Sequence, residues 1–440
     1  MPVKVPWTEN VLFKRILFTV LVLMIFRLGV HIPVPGVDAK ELASFADQQA
    51  SGGLLKIFNM FSGGALSHFS VFSLAVMPYI SASIIMQLMT VVVPTLEQFQ
   101  KEGGVGRQKI TRITRFLSII LAFVQGYLLS AGLEAARGAT GAMIVIDPGF
   151  SFRIFSAVLM TTGAVFVMWM GEQITDRGIG NGISIIIFAG IAASLPSTAW
   201  FFVDMVRQNS GALLGILGLL VFCIFVVFCV TFFEQSYRKI PVHYAKRVVG
   251  RRVTAPQTSH LPLKVNMSGI MAAIFASTIL AVPATLTSFG QSAQSAWLAD
   301  FMPGRWLYNV VFVLLGVFFS FFYASIVFKP DDIAENLKKQ NAYIPGIRPG
   351  GETSEALDTV VTRLTLAGSF YMCLVVVLPS FVSGALGQQL NLGGTSLLIV
   401  VGVALESVRQ VSAHLASQRY DSLIFPTETS LRSPTAKPSA

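Results

Sequence analysis

LLGILGLLVFCIFVVFCVTFFE, residues 213–234, carries no charged side chain before Glu234 at its end. A helix of ~20 such residues crosses the ~30 Å hydrocarbon layer of a bilayer, and it has no polar face to offer water. Comparable stretches recur at 14–33, 71–94, 116–133, 154–173, 183–205, 266–288, 306–328, 364–385 and 394–412, so ten spans are expected. Hydrophobic residues make up 53% of the 440 and charged ones only 12%, a balance that a water-soluble domain of this size cannot accommodate. Strict two-residue alternation, the mark of a lipid-facing barrel, is too weak, which leaves an all-α, polytopic helical bundle as the expected fold.

The formal net charge of +10 is first a statement about topology, because Lys and Arg accumulate on the cytoplasmic side of a membrane protein. With both termini inside, the inner loops hold Arg107, Lys109, Arg112 and Arg115, then Arg238, Lys239, Arg251, Arg252 and Lys264, then Lys329, Lys338, Lys339, Arg348 and Arg363. The outer segments keep Lys40, Lys56, Arg137, Arg153, Arg207 and Arg305. An even number of spans with both ends cytoplasmic therefore satisfies the charge rule. The first stretch is followed by His31, Pro33 and Pro35 rather than a small-residue cleavage site, and is expected to stay as a span.

Two inner loops, 235–265 and 329–363, mix basic residues with Gly, Pro and aromatic residues and read as structured surfaces, for anionic lipid or for a docking partner. Residues 54–67, LLKIFNMFSGGALS, are apolar but short and broken by Gly63 and Gly64. They fit a re-entrant helix at membrane depth or an amphipathic hairpin on the outer surface. The tail, 421–440, is rich in Ser, Thr and Pro, and disorder is expected there.

Catalytic chemistry is not legible. No Gly-rich loop ends in Lys-Ser or Lys-Thr, His31, His68, His243, His260 and His414 form no metal-protease pattern, and Cys223, Cys229 and Cys373 all lie in apolar stretches. Neither a cofactor nor a metal is expected, nor an enzyme. Glu172 and Glu234 fall near span ends, and Glu406 is placed to pair with Arg409. Arg27 alone lies well inside a span, where it either snorkels or bonds a neighbouring helix's carbonyls, or serves transport. Val76 and Ile80, and likewise Ile183 and Ile187, are spaced i to i+4 on one helical face, which suits plain packing or the lining of a shared axis. Pro78 suggests a kink in the second span.

FNMFSGGALS (58–67), MPYISASIIMQL (77–88), GEQITDRGIGNGISIIIFAGI (171–191), YAKRVVGRRV (244–253), LPLKVNMSGI (261–270), IPGIRPG (344–350) and GGTSLLIVVGVALE (393–406) together resemble the SecY family of protein translocases, from the first span to about Tyr420. The resemblance implies an hourglass channel in two pseudo-symmetric halves, residues 1–205 and 206–420, in the bacterial cytoplasmic membrane. Unfolded polypeptides would pass through it, and membrane segments would leave it sideways. Its hydrophobic pore ring would fall on Val76, Ile80, Ile183, Ile187, Ile274 and Ile399, since branched apolar side chains dewet a constriction yet yield around a polypeptide. Residues 54–67 would be the plug, hinged at Gly63 and Gly64. A lateral gate would run between the second and third spans and the seventh and eighth, with Gln87 and Asn266 in polar contact across it. Implied partners are the SecE and SecG subunits, the motor ATPase SecA, the ribosome, signal-sequence-bearing polypeptides and membrane lipid, with Arg251, Arg252 and Arg348 as docking residues. A secondary transporter with a solute site at the midplane, or a non-conducting scaffold, are the competing classes.

Overall fold

A computed structural model describes residues 11–38, 40–42, 59, 61–136, 143–208, 212–244, 248–249, 252–253, 258–289, 306–385 and 394–424. Helices meet all ten expected segments. They are α1 (Val11–Val30), α2 (Met77–Val92), α4 (Gly104–Ala135), α5 (Phe150–Arg177), α6 (Gly182–Gln208), α7 (Ala212–Glu234), α8 (Met271–Phe289), α9 (Trp306–Val327), α11 (Gly351–Ala385) and α12 (Gly394–Ile424). Short helices α3 (Pro94–Lys101) and α10 (Pro330–Lys339) lie between them. Among the described residues six helices are long and apolar enough to cross a membrane, or seven if α2 and α3, bent by 99° at their junction, count as one broken span. Pro94 opens α3, where it cannot donate back into α2, and this ends α2 at Val92.

The second span starts later than its hydropathy suggests. Residues 71–76 are turns, so Pro78 sits in the first turn of α2, where its missing N–H costs nothing; it starts the helix instead of kinking it. The expected Pro78 kink is thereby corrected.

Helices α1, α2, α4, α5 and α6 pack among themselves, as do α7, α8, α9, α11 and α12. Between these groups α8 lies against α2 and α4 on one side, while α6 lies against α7 and α12 on the other. Large apolar side chains on the outer faces, such as Leu28 on α1, Phe228 on α7 and Phe370 on α11, are exposed, as suits helices whose surroundings are lipid.

Hydropathy did not reveal a small antiparallel sheet. Strand β1 (Tyr237–Tyr244) pairs with β4 (Thr258–Lys264) from Tyr237↔Lys264 to His243↔Thr258, and its other edge takes β5 (Ala342–Tyr343). A separate two-stranded ribbon joins β2 (Val248–Val249) to β3 (Arg252–Val253). Loops 235–265 and 329–363 thus meet in one sheet over a core of Val242, Ala342, Ile344 and Leu357. Helix α10 closes this unit, with Asp331 and Asp332 in its first turn and Lys338 and Lys339 in its last, each sign set against the opposite end of the helix dipole.

Candidate functional site: an apolar waist with a seated segment

Four helices supply the residues expected at the waist. Val76 immediately precedes α2 and Ile80 lies one turn further on, with relative exposures of 2% and 5%. Helix α6 is started by Asn181, whose side-chain oxygen accepts from the backbone N–H of Ile183 at 3.1 Å, an N-cap that fixes where Ile183 and Ile187 point. Gly182 lets α6 begin hard against α5, since a Cβ there would stand 1.9 Å from the Gly171 carbonyl oxygen. On α8, Ala272, Ala273 and Ala276 are fully buried, small enough for close helix approach, and they carry Ile274 inward. Ile399 on α12 is fully buried. Val76, Ile80, Ile187, Ile274 and Ile399 belong to one continuous apolar cluster, and Ile183 packs against it.

The segment before α2 sits on this cluster. Phe61 and Ala65 are buried within it, and Ile191 joins them from α6; spacing in the sequence marked none of the three. Gly63 and Gly64 adopt φ of +68° and +92°, left-handed values that glycine takes without strain. Gly190 of α6 lies close beneath: a Cβ on Gly63 would come 2.9 Å from its Cα. Residues 54–58 and 60 of the expected plug lie outside the described residues; Asn59 and Phe61 are helical, and 62–69 are turn.

Arg27 resolves one of the open alternatives. Its Nη1 donates to the Gly63 carbonyl at 2.7 Å, so it bonds a carbonyl as anticipated, but one from the re-entrant segment and not from a helix. Glu172 pairs with Arg115 at 2.7 Å. The anticipated Glu406–Arg409 pair is not formed; Arg409 donates to the Glu234 carbonyl at 2.6 Å and stacks over Tyr237.

At the seam the two amides have other partners than expected. Gln87 Nε2 donates along its own helix to Ser83 Oγ at 3.2 Å, while its Oε1 is buried and without a hydrogen-bond partner. Asn266 Nδ2 donates to Glu234 Oε1 at 2.6 Å, and its Oδ1 accepts from Ser268 Oγ and Gly269 N. Asn266 is therefore fully engaged with the end of α7 and the turn that starts α8, and no hydrogen bond joins it to Gln87 in the expected polar contact. Where that gate is expected, α8 packs on α2 and α4.

Of the docking residues, Arg251 lies outside the described residues and Arg252 is in β3. Arg348 stands in the loop before α11 with its side chain 88% exposed, 3.9 Å from Glu352. On the neighbouring α10, a hydrogen bond from Lys339 holds the Glu335 carboxyl below its ordinary range. Among the described residues no group of three or more His, Cys, Asp or Glu is gathered to hold a metal.

A bundle of apolar helices, with the segment before α2 packed into its central apolar cluster, defines a class: the fold is that of the protein-conducting channels. A solved protein-conducting channel superimposes with a TM-score of 0.66 at 18% identity, over 94% of this chain and 95% of that one. Sec61 from a canine ribosome-channel complex gives 0.62 at 18% identity, over 94% and 95%. The SecY family profile matches residues 70–408. A protein translocase subunit SecY of Pseudomonas aeruginosa is 48% identical over 94% of this chain and 93% of its own, and that of Escherichia coli 47% identical over 93% of each. The chain belongs to the SecY family.

Proposed function

We propose that this chain is the channel-forming subunit through which unfolded polypeptides cross the bacterial cytoplasmic membrane, and from which apolar segments pass sideways into lipid. The observation that carries this reading is the convergence of Val76, Ile80, Ile183, Ile187, Ile274 and Ile399 on one apolar cluster with Phe61 and Ala65 seated on it. Such a ring excludes water and ions at rest and deforms around a chain in transit. The transporter reading needs a free ionisable group at depth, whereas Arg27 is occupied by the Gly63 carbonyl. Photo-crosslinkers at Ile80 and at Ile187 are expected to capture a secretory chain stalled in passage, with no adduct when substrate is omitted. A stalled chain that labels neither position, while a lipid-facing control behaves normally, removes the pore assignment.

The halves 1–205 and 206–420 would then move about the α6–α7 side, and the α2/α4–α8 side would open as the lateral gate, with Gln87 and Asn266 on its two walls. The two inner loops, joined in one sheet, offer a single firm cytoplasmic platform for SecA or the ribosome, and SecE and SecG would complete the complex. Arg251, Arg252 and Arg348 are the proposed contacts, Arg being suited to phosphate and carboxylate alike. Replacing the exposed Arg348 by Glu is expected to slow SecA-driven export several-fold and leave folding intact, since surface changes of this kind move stability by only about 0.5 kcal/mol. Normal export kinetics in inverted vesicles would reject Arg348 as a docking residue.

A further inference from the structure

We infer that Arg27 is the latch that holds the plug tip in its closed seat, a positioning residue that acts through the Gly63 carbonyl; the inference rests on reading this segment as a plug. The base of the segment is fixed to the chain that follows α1 by main-chain bonds. Val34 N donates to Phe69 O and Val71 N to Ile32 O, both at 3.0 Å, and Pro33 bridges Ser70. Stacked rings of Phe26 and Phe72, 6.1 Å apart, add packing at the same place.

The tip is held differently. Gly64 N bonds Asn59 O, Ser67 N bonds Asn59 Oδ1 and Ser67 Oγ bonds Gly64 O, so these groups are satisfied inside the turn. The left-handed backbone at Gly63 and Gly64 leaves the Gly63 carbonyl outside that set, and Arg27 takes it. Ser70 N and Ser73 Oγ tie the Ala65 carbonyl to the base; among the described residues the Arg27 bond is the one that ties residues 59–67 to a helix, and no carboxylate pairs with Arg27. If the tip leaves, the guanidinium in the last turn of α1 loses its acceptor and the carbonyl loses its donor, and an unmade hydrogen bond to a charged group is costly. The base therefore acts as a tether and the tip as the moving part, with its release opposed by the burial of Phe61 and Ala65 and by one charged hydrogen bond.

The test uses the complex with its partner subunits, reconstituted in planar bilayers without substrate. Removing a hydrogen bond to a charged group shifts an equilibrium about ten- to a hundredfold, so Arg27→Met is expected to raise resting ion leak by that factor. Arg27→Lys, which keeps a cationic donor, should restore part of the seal. Gly63→Ala attacks the same contact from the other side, because its Cβ would press on Gly190 Cα at 2.9 Å and Arg27 Nη1 at 3.3 Å. The double variant should leak no more than the leakier single one. A loss of folding alone would lower yield without this non-additivity or the Lys rescue. Should Arg27→Met not assemble, Arg27→Gln takes its place in the same comparison. If Gly63→Ala leaks while the Arg27 variants stay tight, the latch is wrong and the plug reading survives. If all of these stay tight while Ile80→Asn leaks, the plug reading itself fails.

Discussion

Ile80→Asn is expected to make the resting channel leak ions about ten- to a hundredfold faster. Ile80 is 5% exposed and lies one turn along α2 from Val76, inside the cluster that also takes Ile187, Ile274 and Ile399. An amide buried there without a partner costs about 1–3 kcal/mol, and water is the partner at hand, so the substitution favours the wetted state over the dry one by that amount. Ile187→Asn, at 2% exposure on α6, should act in the same direction. Single-channel recording of the reconstituted complex measures both, and a conductance indistinguishable from wild type would take these residues out of the seal.

Gly182→Ala is expected to disable the channel by a different route. The added Cβ would lie 1.9 Å from the Gly171 carbonyl oxygen and 2.8 Å from Ile174 Cβ, and a backbone carbonyl cannot swing aside as a long side chain can. Helices α5 and α6 must separate there, at a cost of about 1–3 kcal/mol or more, and α6 carries Ile183 and Ile187 with it. Lower thermal stability of the purified complex and reduced translocation should appear together. Gly104→Ala, where a Cβ meets nothing within 4 Å, is the matched control and should change neither. A Gly182→Ala protein as stable and active as its control would show that the α5–α6 contact is loose.

Pro78 shows how a residue legible in one respect misleads in another. Its neighbours placed the second span correctly, but apolarity alone could not separate the turns of 71–76 from the helix that begins at Met77. Apolar turns read like apolar helix, because in each case the side chains are buried among other helices. The apolar cluster was half legible: i to i+4 spacing paired Val76 with Ile80 and Ile183 with Ile187, but resemblance, not spacing, joined Ile274 and Ile399 to them. Ile191, Phe61 and Ala65 gave no signal, since a buried Ile in a span looks like any other.

What the sequence by itself determined is the class of fold and the order of the helices, because both follow from a local property, the length and polarity of successive segments measured against a bilayer. The basic loops were legible for the same reason. Only the tertiary structure decided that β1 and β5, about a hundred residues apart, share an edge, that Asn266 answers to Glu234 and not to Gln87, and that Arg27 is held by Gly63. Each of these is a choice among many chemically equivalent partners, and hydrogen-bond chemistry names the kind of partner while only packing fixes which one is within reach.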